Sequence, residues 1–263
     1  MSLINTYWWV IPLIITSFTG ILCPAMGTIL ITHKRLLQVN LISHCVLPGL
    51  ALAVAIGVDP SVGGVISGLL GALIAESLAK RRNESYEGVL NTILASSLGL
   101  GVLLIPLLGI RIDLESVLFG DLLTANLEDL SRTLITFLIF ICLMIFGYNR
   151  LVHVGLDPEG ASANGINVPR LNLALGFATA LVIVSSMSAV GVILVIALLS
   201  APTLLGLDQS SSLWMAMIRS SVYGLVISLF GFILAIIFNL APGPLISIIC
   251  ALSLAFLPIK NQY

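Results

Sequence analysis

Asn40-Leu41-Ile42-Ser43-His44-Cys45-Val46-Leu47-Pro48-Gly49 sets an imidazole, an amide and a Pro-Gly pair inside an apolar run from about Leu36 to Gly57. Roughly 20 apolar residues suffice to carry a helix across the ~30 Å hydrocarbon core of a bilayer. Polar and ionisable groups are costly to bury in such a segment, and they mark function by default. Asn40 and His44 are four residues apart and share a helix face. Pro48 removes one backbone donor and frees the carbonyl four residues back, that of His44. Gly49 loosens the following turn, so the stretch reads as a span broken beside its imidazole, a geometry that exposes carbonyl oxygens to an ion.

The surrounding composition places this run in a membrane. Of 263 residues, 59% are hydrophobic and 9% charged, against about 25% charged in a soluble domain, and the mean hydropathy is +1.15. The alternation of apolar and polar residues that marks a barrel is absent. The expected fold is therefore all-α: a polytopic helical bundle forming a single transmembrane domain over residues 1–263. A net charge of −1 offers no basic surface for nucleic acid. Cys23, Cys45, Cys142 and Cys250 are scattered through apolar stretches without C-x-x-C spacing and read as small buried thiols. Met1 to Thr19 lacks a basic leader and a small-residue cleavage site, so it is read as retained structure.

About nine spans are expected, with eight as the alternative. The first runs from about Tyr7 to Thr32, the second from Leu36 to Gly57, the third from Val62 to Ala79 and the fourth from Gly88 to Ile110. A more polar stretch, Arg111 to Asp129, precedes a fifth span from Leu130 to Tyr148. Leu171 to Gly206 is too long for one crossing, and Ser185-Ser186-Met187-Ser188 is the expected break between a sixth and a seventh. The eighth covers Ser220 to Leu240, and the ninth follows the Ala241-Pro242-Gly243-Pro244 turn and ends near Leu257. In this scheme Lys34, Arg35, Lys80, Arg81, Arg82, Arg150, Arg170, Arg219 and Lys260 fall on one side, and Arg111 and Arg132 on the other. The positive-inside rule then puts the N-terminus outside and the C-terminus in the cytoplasm. Gly63, Gly64, Ser67, Gly68 and Gly71 give the third span a small-residue face for close helix packing. Glu76 is expected to pair with Lys80 one turn on.

The inner segment His153 to Arg170 carries helix-end signals. Asp157 is placed as N-cap, Pro158 as first helical residue, Glu159 at the positive dipole end and Gly165 as the terminating glycine. That predicts about two turns with a small-residue face of Ala161, Ser162 and Ala163. So short a helix needs packing to persist.

Asp157-Pro158-Glu159, the small residues after it and Gly165 resemble the coupling loop of ABC-importer permeases. Ser43-His44-Cys45-Val46-Leu47-Pro48-Gly49 resembles the Ser-His-x-Val-Leu-Pro-Gly signature of the zinc/manganese/iron ABC-importer permeases. Leu118-Phe119-Gly120-Asp121-Leu122-Leu123 and the stretch from Gly191 to Ala197-Leu198-Leu199-Ser200-Ala201-Pro202 agree with it, and the likeness extends from about Ile21 to Phe256. The resemblance implies a permease subunit of the bacterial plasma membrane that passes a divalent transition metal ion, zinc, manganese or iron, by alternating access. It implies a second permease copy or a paired paralogue, an extracytoplasmic metal-binding protein, and cytoplasmic ABC ATPase subunits that use the ATP. No permanently bound cofactor is implied.

Under this reading His44 and Asn40 line the metal pathway, and Pro48 and Gly49 form the helix break or gate. Asp157, Pro158, Glu159, Ala161 and Gly165 dock the ATPase. Asn40 stands where family members commonly carry an acidic residue, and an amide brings no charge to offset a dication. Ser200 and Pro202 are given packing or kink roles. Asp121, Glu128 and Asp129 on the outer side read as a solvated rim. The chain has no G-x-x-x-x-G-K-[ST], so hydrolysis belongs to a partner. The competing readings are a gradient-driven secondary transporter or channel, which needs more intramembrane acid than Glu76, and an intramembrane enzyme, for which H-E-x-x-H and G-x-S-x-G are missing.

Overall fold

Apolar length and local end signals account for most of the helices. The computed structural model describes residues 9–82, 86–110, 118–208, 210 and 212–256, and no strand occurs among them. The helices, numbered in chain order, are α1 (Val10–Thr32), α2 (Leu36–Ala55), α3 (Pro60–Arg82), α4 (Tyr86–Leu107), α5 (Leu127–Leu156), α6 (Pro158–Ala163), α7 (Val168–Val190), α8 (Val192–Asp208), α9 (Leu213–Phe238) and α10 (Pro242–Phe256). Seven of them are long and apolar enough to cross a membrane, and α8 and α10 are shorter apolar helices, which is consistent with the nine expected spans.

Helix starts follow the chemistry of their caps. The Asp59 carboxylate accepts the Ser61 amide at 2.8 Å ahead of Pro60, the first residue of α3. Asn126 and Asp129 form a reciprocal capping box at the start of α5. Ser212 caps α9 by accepting from the Met215 amide. α5 begins earlier and runs further than Leu130 to Tyr148, because its N-cap lies at Asn126 and its C-cap at Asp157.

The expected break at Ser185–Ser188 is not there. α7 continues to Val190 and stops at Gly191, which has φ +81°. Helical serines can turn their hydroxyls onto carbonyls of the preceding turn, as Ser188 does to Ser185 at 3.3 Å, and the ladder survives. Only a residue without Cβ adopts the left-handed conformation freely, so Gly191 ends the helix.

The chain divides into two compact units. Unit 1 comprises residues 1–33, 115–166 and 185–263. There α1 packs on α9, α8 and α5, and α10 on α8 and α9. Gly20 and Gly224 let α1 and α9 approach closely: a Cβ on Gly224 would strike the Gly20 carbonyl and the Pro24 ring. Hydroxyls complete this core, with Thr28 donating to Ser220 at 3.2 Å and Thr203 donating to the Pro24 carbonyl at 3.1 Å. Unit 2 comprises residues 34–114 and 167–184, with α2 packed on α3 and α4.

Three glycines converge within unit 1. A Cβ on Gly120 would meet the Gly191 amide and Val190, one on Gly191 would meet Phe119 and Gly120, and one on Gly243 would meet the Phe119 carbonyl. Gly191→Ala therefore carries two penalties, about 1–2 kcal/mol for left-handed backbone and about 1–3 kcal/mol for overpacking. It is expected to lower the thermal midpoint in detergent by several degrees. Gly99→Ala on α4, with open space around it, is expected to leave that midpoint unchanged or slightly raised.

Candidate functional site: the His44 helix and the 157–165 segment

α2 runs unbroken from Leu36 to Ala55 with Pro48 inside it, which corrects the expected break. Pro48 denies the His44 carbonyl its usual donor, yet the chain stays helical because α3 holds α2 along its length. Ser67 of α3 donates to the Cys45 carbonyl at 2.6 Å. Gly49 serves this contact: a Cβ there would collide with the Ser67 hydroxyl and the Gly63 carbonyl. Gly63, Gly64, Gly68 and Gly71 meet Gly49, Val46, Ile42 and Cys45 in turn, so the small-residue face of α3 is a packing face, as expected. On the α4 side, the Cys45 thiol donates to Ser97 at 3.1 Å.

At 100° per residue, Asn40 and His44 lie on the side of α2 opposite Ile42, Val46, Gly49 and Ala53, the residues turned to α3. Both are half-buried. Neither has a hydrogen-bond partner among the described residues. Structural polar side chains are normally satisfied, so an unengaged imidazole and amide on one face are available to a passing ligand. Imidazole nitrogen suits late transition metals and amide oxygen suits manganese. Among the described residues no three His, Cys, Asp or Glu side chains gather to hold a metal ion.

A cavity of about 440 Å³ in unit 1 is lined by α1, α5 and α9 and is apolar except for Ser221, whose hydroxyl donates to the Ile21 carbonyl at 3.1 Å. It offers nothing to a cation. Glu76 reaches Arg35 at 3.5 Å, and the side chain of Lys80, its expected partner, lies outside the described residues.

In unit 1 the 157–165 segment is a capped helical turn. The Asp157 carboxylate accepts the Gly160 amide at 2.9 Å and Pro158 occupies the first helical position. At the other end the Gly165 amide donates to Ser162 and the Ile166 amide to Ala161, both at 3.0 Å, with Gly165 at φ +78°. That is a Schellman closure. Asn167 then caps α7 by accepting the Arg170 amide at 3.1 Å. Ala161 is 0% exposed and anchors α6. Ser162 and Ala163 are exposed with Pro158 and Glu159, so the expected three-residue face is split between an anchor and an outward surface.

Sequence reasoning missed two features of this architecture, the Arg35–Glu76 pair and the meeting of Gly120 with Gly191. The second had a signal. Both glycines lie in the Leu118–Leu123 and Gly191–Pro202 stretches singled out above, although nothing in either stretch says that they touch.

A family profile described as the ABC 3 transport family matches residues 7–260. The chain is 31% identical over 227 residues to the manganese import system permease protein ScaB of Streptococcus parasanguinis, covering 85% of this chain and 80% of that one. It is 28% identical over 244 residues to the chelated iron transport system membrane protein YfeD of Yersinia pestis, covering 93% and 82%. Among solved structures, PsaBC from Streptococcus pneumoniae in complex with Fab superposes with a TM-score of 0.87 at 28% identity, covering 95% of this chain and 90% of that one.

Proposed function

Since the chain belongs to the ABC 3 transport family and is a multi-pass membrane permease of the metal ABC-importer kind, we propose that it is the permease subunit of an ATP-driven importer for divalent manganese, with iron or zinc as the other candidate cargo. The observation that carries this reading is the family match over residues 7–260, and the manganese and iron relatives support the choice of cargo.

In this reading an extracytoplasmic metal-binding protein delivers the ion to a pair of permease chains. The ion passes the face of α2 that bears Asn40 and His44. Each is a neutral ligand, which suits transit more than retention. Pro48 leaves the His44 carbonyl open as a further oxygen ligand, so the gate role rests on Pro48, and Gly49 keeps α3 against the helix. With the N-terminus outside, the 157–165 segment faces the cytoplasm, where Pro158, Glu159, Ser162 and Ala163 present a preformed surface to the ATPase. Capping at both ends makes this segment a rigid element, able to transmit a push from the ATPase into α5 and α7.

The test is uptake of radiolabelled manganese by proteoliposomes containing the permease, its ATPase and its delivery protein. ATP-dependent uptake that iron and zinc compete for less well than manganese is expected. Uptake that follows an imposed ion gradient without ATP overturns the proposal. Ser162→Trp leaves both caps of α6 intact and adds bulk to its outer face. It is expected to cut transport at least about tenfold, the loss of ~1.4 kcal/mol of productive docking, while the permease itself folds normally by thermal unfolding.

A further inference from the structure

Another cavity, about 420 Å³, lies wholly in unit 2 between the start of α2, the last half of α3 and the start of α7. Arg35, Gln38, Glu76, Ser77 and Asn172 supply its polar lining. Arg35 and Gln38 project from the α3 side of α2, away from Asn40 and His44, so the cavity is separate from the face assigned to the ion. We propose that this cavity binds the phosphate-bearing headgroup of an anionic phospholipid.

Three observations converge on that ligand. The first is charge. Glu76 is the acidic side chain of the lining, and it holds Arg35 at 3.5 Å. Beside the lining residues in the chain stand Lys34, next to Arg35, and Arg170, next to Pro169. Basic pockets between transmembrane helices at their positively charged ends attract anionic headgroups, at about 1 kcal/mol for each nearby Lys or Arg.

The second observation is donor chemistry. The Arg35 guanidinium, the Gln38 and Asn172 amides and the Ser77 hydroxyl can all donate to phosphate oxygens, and a guanidinium does so in a bidentate fork. The Glu76 carboxylate keeps Arg35 at the wall of the cavity instead of free in solvent.

The third observation is the rim. Leu73 and Leu173 line the same cavity and are 37% and 49% exposed. Apolar residues at the edge of a polar pocket suit the glycerol and acyl chains of a lipid and give a free anion nothing. A lipid seated here bridges α2, the His44 helix, to α7, the helix that follows the 157–165 segment, and its presence tunes how firmly the two move together.

Native mass spectrometry of the chain released from nanodiscs tests the proposal, with phosphatidylglycerol, phosphatidylcholine of the same acyl chains, and inorganic phosphate as probes. One phosphatidylglycerol retained per chain in preference to phosphatidylcholine is expected. Arg35→Gln is expected to weaken that binding about fivefold, the equivalent of one basic contact. Arg219→Gln on α9, in unit 1, is expected to leave it unchanged. Should Arg35→Gln fold poorly, Ser77→Trp fills the exposed rim without touching the ion pair and is expected to give the same loss. Equal retention of the two lipids, equal binding by the Arg35 and Arg219 variants, or displacement of the lipid by inorganic phosphate each overturns the proposal.

Discussion

His44→Ala is expected to lower ATP-dependent manganese uptake by two orders of magnitude or more in reconstituted vesicles, with assembly intact. Removing partners one shell out from a metal already costs about 10–100-fold, and a direct ligand costs at least that. The three histidines of the chain make an internal control. His33 bonds the Leu151 carbonyl through Nε2 at 2.9 Å, so it ties α1 to the end of α5, and its loss is a stability effect. His153 is exposed in the last turn of α5. His33→Ala is expected to lower the thermal midpoint with transport per folded transporter retained, and His153→Ala to change neither. Normal uptake by an assembled His44→Ala protein removes this residue from the route. Asn40→Asp adds the charge that the amide lacks and is expected to tighten metal binding on α2 while slowing release.

Gly49→Ala and Pro48→Ala are expected to move in opposite directions. The added methyl at Gly49 meets a backbone carbonyl, Gly63, which cannot rotate away, as well as the Ser67 hydroxyl. Overpacking of this kind costs about 1–3 kcal/mol, several degrees in the thermal midpoint of a chain this size, and it separates α2 from α3. Pro48→Ala restores the amide that the His44 carbonyl lacks. The fold is expected to be as stable as before or more so, and transport to fall because that oxygen is no longer open to the ion. Thermal unfolding in detergent alongside vesicle uptake separates the two outcomes. A stable Gly49→Ala protein would show that α2 and α3 have room to part, and an unimpaired Pro48→Ala transporter would take the carbonyl out of the gate.

How much of this was legible beforehand differs from element to element. The 157–165 segment was read almost residue for residue, because caps and glycine closures are local chemistry between neighbours in the chain. The direction of its small residues was not, since which side of a two-turn helix is buried depends on what it packs against. The serine run at Ser185–Ser188 misled because a hydroxyl that looks like a helix breaker in isolation can be absorbed by the helix ladder. Pro48 misled in the same way, since proline's cost in a helix is met by neighbours when a second helix lies alongside.

By itself the sequence determined that this is a multi-pass helical membrane protein, with one polar face on its second apolar stretch and a capped helix at 157–165. Apolar length, charge placement and capping act over a few residues, and a chain carries them whatever its tertiary arrangement. Only the tertiary structure decided that Gly49 packs against α3, that Glu76 answers Arg35, and that Gly120, Gly191 and Gly243 share one point. Those contacts join residues tens to over a hundred positions apart. They depend on which faces of helices meet, and in a membrane, where lipid is as apolar as leucine, hydrophobicity does not choose the face. Small residues and a few hydrogen bonds choose it, and their partners are visible only once the helices are in place.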